Sequence, residues 1–176
     1  QHIPFQFSLH VLNSSDGDIE HHEYLHTDNS DPTEGIISAL KESIGPEGNV
    51  IVWNKTFERD RNTEMALRSL ENKDFLIGIN NRIYDLKDIF HKQLHVHPEF
   101  KGKTSIKNVL PALVPELSYK DLAIREGGSA MEAWFEKILN ASSEEEKNET
   151  AKNLLKYCHM DTYAMYAIWK ELIKII

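Results

Sequence analysis

A chain of 176 residues, 40% of them hydrophobic, can bury roughly two-thirds of the surface its unfolded form exposes, which excludes a wholly disordered protein. Its one cysteine, Cys158, excludes an internal disulfide and suits a reducing compartment, and no run approaches the roughly 18 apolar residues of a membrane-spanning helix. A net charge of −8 argues against a generally basic nucleic-acid binder, yet not against a metal-dependent nuclease, whose site collects carboxylates. The opening residues QHIPFQFSLHVL carry no basic leader, no small-residue cleavage site and no initiator Met. The expectation is a fragment or processed product of a cytoplasmic protein.

Residues 3–12 alternate, with Phe5, Phe7, Leu9 and Val11 on one parity, and predict a half-buried strand. Ser14-Ser15-Asp16-Gly17 is a turn signal, and residues 18–27 predict a second, more polar strand that closes a hairpin. Asp31-Pro32-Thr33-Glu34 opens a helix to about Ser43, with Ile36, Ile37 and Leu40 inward. Residues 49–54 read as a short apolar strand, and a strand after a helix predicts a parallel α/β arrangement. Residues 58–70 are patterned as a helix, and residues 75–90 as further helix broken near Asn80-Asn81. Residues 91–103 look irregular; residues 105–113 predict a short helix that holds Pro111. Gly127-Gly128 precede a helix over 129–139, with Ala130, Trp134 and Ile138 at four-residue spacing. Ser142 or Ser143, with Glu145 or Glu146, caps a last helix that runs with at most one bend to Ile176. No repeat or linker interrupts the chain, so the expectation is one α/β domain over 1–176: a hairpin, one further strand and a helix-rich C-terminal half.

Two constellations carry chemistry. The strand Val50–Trp53 delivers Asn54 to its C-terminal end and Glu58 to the first turn of the next helix, where ligands bind in α/β sheets. The plainer alternative is that Glu58 only complements a helix dipole. Tyr157 and Asp161, four apart, share a helix face beside the apolar Leu154, Leu155, Met165 and Ile168. An Asp there needs a partner or a metal, and Tyr157 itself is the plainer partner.

Asn54-x-x-Phe57-Glu58 resembles the motif N-x-x-F-D, with Glu for Asp, and Tyr157-x-x-x-Asp161 resembles Y-x-x-x-D. Both belong to the tyrosine-type DEDD 3′–5′ exonucleases of ribonuclease H-like fold. The segments Ile83-Tyr84-Asp85-Leu86, Ser105-Ile106-Lys107-Asn108-Val109-Leu110-Pro111 and Tyr157-Cys158-His159-Met160-Asp161-Thr162 are similar, in the same order, to a bacterial family of uncharacterised proteins placed in that superfamily. The resemblance implies metal-dependent hydrolysis of DNA or RNA from a 3′ end. Glu58, Tyr157 and Asp161 would be catalytic, with Glu58 and Asp161 holding Mg²⁺ or Mn²⁺ and Tyr157 orienting the water. In that family a D-x-E motif on the first, central strand precedes the hairpin. This chain alone is therefore expected to lack half the metal ligands, to bind the ions weakly and to be inactive. Asp18-Ile19-Glu20 spells D-x-E but follows the hairpin turn, and we read it as unrelated. A missing central strand leaves an open edge, from which a homodimer is expected. The rival function is a non-catalytic nucleic-acid-binding or protein-interaction module of the same fold.

Asn54, Lys103 and Lys107 are the expected nucleic-acid contacts, the two lysines within a locally basic stretch that also includes Lys101, Lys120 and Arg125. Its plainer reading is a solvated surface. His21, His22 and His26, and likewise His91, His95 and His97, lack a second ligand pair at a recognised zinc spacing and are read as structural or surface groups.

Overall fold

The computed structural model describes residues 3–14 and 17–175, and the chain divides into two compact units. The first comprises residues 1–45 and 119–161, the second residues 46–118 and 162–176.

In the first unit the predicted hairpin forms. β1 (Gln6–Leu12) pairs antiparallel with β2 (Ile19–Leu25), placing Phe7 opposite Tyr24 and His10 opposite His21. Gly17 N donates to Ser14 O at 3.0 Å within the turn; Ser15 and Asp16 lie outside the described residues. α1 (Thr33–Ser43) starts where Asp31 Oδ1 accepts from Thr33 N at 2.9 Å, and it buries Ile36 and Ile37. A side chain at its Gly35 would collide with the Tyr24 hydroxyl.

Later in the chain, α2 (Lys55–Arg68), α3 (Lys73–Asn81), α4 (Asp88–His91) and α5 (Ile106–Leu113) belong to the second unit, and α6 (Gly127–Trp134) returns to the first. The sequence predicts one regular helix over 129–139. Instead α6 continues as a wider π-helical turn, Phe135–Leu139, which keeps Ala130 and Ile138 in one buried cluster with Ile124 and Leu154. Trp134 stacks on Phe5 at 4.6 Å, and its indole N–H donates to His26 O at 2.7 Å.

α7 (Glu144–Ile173) begins with the predicted capping box. Ser143 Oγ accepts from Glu146 N at 3.2 Å, and Glu146 Oε2 accepts from Ser142 N at 2.9 Å. One helix is assigned over the whole of Glu144–Ile173; its residues through Asp161 belong to the first unit.

The second unit holds a β-α-β arrangement. β3 (Val50–Val52) leads into α2, and β4 (Ile83–Asp85) pairs parallel with β3, Val52 opposite Asp85. β4 corrects the sequence reading, which ran a helix through these residues. The helix α3 ends at Asn81, beside Asn80, whose side chain accepts from Asn62 Nδ2 at 2.8 Å and donates to Arg59 O at 3.2 Å. The stretch from Arg82 to Leu86 then satisfies β3's backbone: Val50 N donates to Arg82 O at 3.0 Å, and Leu86 N donates to Val52 O at 2.8 Å. Phe90 lies between Trp53 (5.5 Å) and Phe100 (5.6 Å) in the buried part of this unit. The architecture is mixed α/β, with two separate two-stranded sheets among the described residues and a helix-rich C-terminal half.

Candidate functional site

Parallel β3 and β4 end side by side, and their carboxyl ends carry Asn54 and Asp85. Asn54 precedes α2, where its carbonyl accepts from Phe57 N at 3.0 Å; its side chain makes no cap bond. The cap comes from across the sheet: Asp85 Oδ2 accepts from Lys55 N at 2.9 Å, and its Oδ1 accepts from Lys87 N at 3.1 Å. Asp85 is thus a buried carboxylate held by two backbone donors at a helix N-terminus.

Glu58, one turn into α2, contrasts with it. Its Oε2 is buried without any hydrogen-bond partner. Burial, reinforced by the charge of Asp85, pushes its carboxyl up to about 7. Such a carboxyl holds its proton near neutrality unless a cation takes that place.

Lys103 and Lys107 are exposed. The loop before α5 is tied to the end of β3, since the Trp53 indole N–H donates to Thr104 O at 3.2 Å. Lys103 is therefore anchored close to the strand end that presents Asn54.

In the first unit, Tyr157 and Asp161 share a face of α7 as predicted, and the Tyr157 hydroxyl hydrogen-bonds the Asp161 carboxylate. Tyr119, which sequence reasoning passed over, donates its hydroxyl to Asp161 Oδ1 at 2.8 Å. Burial first, and the Asp161 charge second, push both phenols well above their ordinary range, so each remains a donor. Burial likewise raises the Cys158 thiol to about 12, which makes it inert rather than nucleophilic. Glu58 lies in the second unit and Asp161 at the end of the first unit's helical segment.

A further group was missed because its members are distant in sequence. His10 and His21 face each other across the hairpin with ring centroids 4.5 Å apart. His159 of α7 meets both edge-on, at 4.8 Å from His10 and 4.5 Å from His21. Burial, then the neighbouring His21 and His159, lower His10 to about 4, and burial lowers His21 as well. His21, which the sequence reading took with His22 and His26 as a structural or surface group, thus belongs to this cluster, and other members of the two triplets behave otherwise. His26 is buried and structural, bonded to Tyr24 Oη at 3.1 Å and to Ser30 O at 3.0 Å, and His97 accepts from Glu99 N at 3.2 Å. Among the described residues, no helix is long and apolar enough to cross a membrane.

Comparison with known proteins places these residues in context. The family described as "Domain of unknown function (DUF2779)" matches residues 1–105. Over 144 residues the chain is 30% identical to the uncharacterized protein MG366 homolog of Mycoplasma pneumoniae, covering 76% of this chain and 22% of that protein. It is 31% identical over 144 residues to the uncharacterized protein MG366 of Mycoplasma genitalium, with the same shares, 76% and 22%. To the uncharacterized protein UU173 of Ureaplasma parvum it is 31% identical over 157 residues, covering 80% of this chain and 22% of that protein. The chain thus spans about a fifth of the length of these curated relatives. No solved structure matches it.

Proposed function

We propose that this chain, which belongs to the DUF2779 family, is part of a metal-dependent nuclease of ribonuclease H-like fold that hydrolyses DNA or RNA from the 3′ end in the bacterial cytoplasm. The supporting observation is Glu58: a buried carboxylate oxygen without a donor, beside a second carboxylate, at the carboxyl end of a parallel strand pair. An unpartnered buried oxygen is costly, on the order of 1–3 kcal/mol, and a cation would complete it. An oxygen donor set suits Mg²⁺ or Mn²⁺.

When bound, such ions supply an activated water and stabilise the leaving oxygen. In this chain Glu58 and Asp161 are the proposed ligands. Tyr157, whose hydroxyl hydrogen-bonds the Asp161 carboxylate, would orient the attacking water. Asn54, Lys103 and Lys107 bind the substrate strand. By the exonuclease resemblance, the two carboxylates of a D-x-E motif would complete such a site.

One observation favours the non-catalytic reading of the same fold. Asp161 Oδ1 accepts from Tyr119 at 2.8 Å, which satisfies that oxygen without a metal.

The deciding experiment uses the full-length protein with 3′-labelled single-stranded DNA and RNA and Mn²⁺. Release of labelled nucleotide is expected, and Glu58→Gln and Asp161→Asn should each slow it by at least about 10–100-fold. No Mn²⁺-dependent release by the natural protein, or natural rates in Glu58→Gln, would sink the nuclease reading.

A further inference from the structure

We propose that His10, His21 and His159 form a binding site for one divalent transition ion, Zn²⁺ foremost, which ties the hairpin to the long helix. The site is distinct from the proposed carboxylate ligands and does not rest on the nuclease reading.

The hairpin register builds two-thirds of it. His10 and His21 are direct partners across β1 and β2, so both side chains leave the same face of the ribbon. His159 on α7 completes it, its ring edge-on to both. One ligand atom from each of the three lies within 4.8 Å of the others. Around a single Zn²⁺, bonds of roughly 2.0–2.1 Å set three nitrogens roughly 3.3 Å apart. Small rotations about the side-chain torsions bring the three into that range.

The surroundings are those of a histidine–metal site. Ser8 Oγ lies 2.9 Å from His21 Nε2, and Glu23 Oε2 lies 3.8 Å from the same nitrogen. An oxygen partner beside a ligating imidazole fixes its ring and tautomer and supplies negative charge near the ion. The chemistry also selects the ion. Imidazole nitrogens suit Zn²⁺, Ni²⁺ or Co²⁺, whereas Mg²⁺ and Mn²⁺ prefer oxygen. Three protein ligands leave a fourth position, and exposed His21 opens it to water. His159 and Asp161 stand two positions apart on a helix, roughly 200° around its axis. The same segment of α7 therefore presents them in different directions.

The test titrates Co²⁺ into untagged protein. The visible bands of tetrahedral Co²⁺ should saturate at one equivalent, be displaced by one equivalent of Zn²⁺, and be abolished in His10→Gln and in His159→Gln. They should persist in His22→Gln, whose side chain leaves the opposite face of β2, and in Glu58→Gln. Failure of the nuclease assay with these bands intact would leave this site standing. Absent bands, or bands that survive both His10→Gln and His159→Gln, would overturn it. Should a variant not fold, carbethoxylation of the natural protein decides. Zn²⁺ should protect His10, His21 and His159 but not His22, and equal labelling with and without Zn²⁺ would refute the site.

Discussion

Two neighbouring carboxylates, Glu58 and Asp85, show how local donors decide the behaviour of one functional group. Asp85 receives two backbone N–H groups, whereas Glu58 Oε2 receives none and is buried. The consequence is a measurable pH dependence. Folding raises the Glu58 carboxyl from 4.5 to about 7, so between those values the folded chain holds a proton that the unfolded chain has released. The stability this group contributes is full below about pH 4.5 and declines as pH rises towards 7, by at most about 3 kcal/mol. In chelator, urea unfolding of the natural chain and of Glu58→Gln at about pH 5 and about pH 7.5 isolates this group from the histidines that titrate nearby. The natural chain should lose more stability over that interval than the variant does; equal changes would contradict the raised carboxyl that burial gives Glu58.

At the level of elements, the hairpin and α1 meet where Gly35 removes a side chain. A Cβ at that position would strike the Tyr24 hydroxyl, itself bonded to His26 Nδ1 at 3.1 Å. Alanine gains about 1 kcal/mol of helix propensity but must displace Tyr24 from that bond. Gly35→Ala should therefore destabilise the chain by about 1–2 kcal/mol net, read as a lowered urea midpoint with an unchanged slope. A stabilised variant would mean that Tyr24 moves aside without cost. The β3–β4 pair shows another dependence between elements, because the cap of α2 is Asp85, a residue of the partner strand rather than of the helix itself.

For the whole molecule, both sheets are two-stranded among the described residues, so each strand has only one strand partner. A strand with one unpaired side is a template for another chain. On the side of β1 away from β2 the Ser8 backbone already bonds the Cys158 thiol, so a homodimer through that edge has to displace this contact, against a net charge of −8 that keeps copies apart at low salt. Light scattering at micromolar concentration and physiological salt tests the homodimer expected from the sequence, which would return twice the chain mass. A single-chain mass that persists on raising the salt would exclude pairing between copies.

The sequence by itself determined the elements whose signal is local. Alternation in residues 3–12 and the turn after Asn13 specified the hairpin. Asp31-Pro32-Thr33 placed the start of α1, Ser143 with Glu146 placed the start of α7, and the four-residue spacing put Tyr157 beside Asp161. Tertiary structure decided the rest. Ile83–Asp85 is too short for periodicity to separate strand from helix, and it became a strand because β3's backbone needed a partner. The π-helical turn after α6, which the four-residue spacing did not predict, holds Ile138 in the buried cluster with Ala130. Tyr119 reaches Asp161, and His159 reaches the His10–His21 pair, across separations that no motif spans. Side chains far apart in the chain become neighbours only through packing, and a linear pattern records periodicity and caps but not which faces meet.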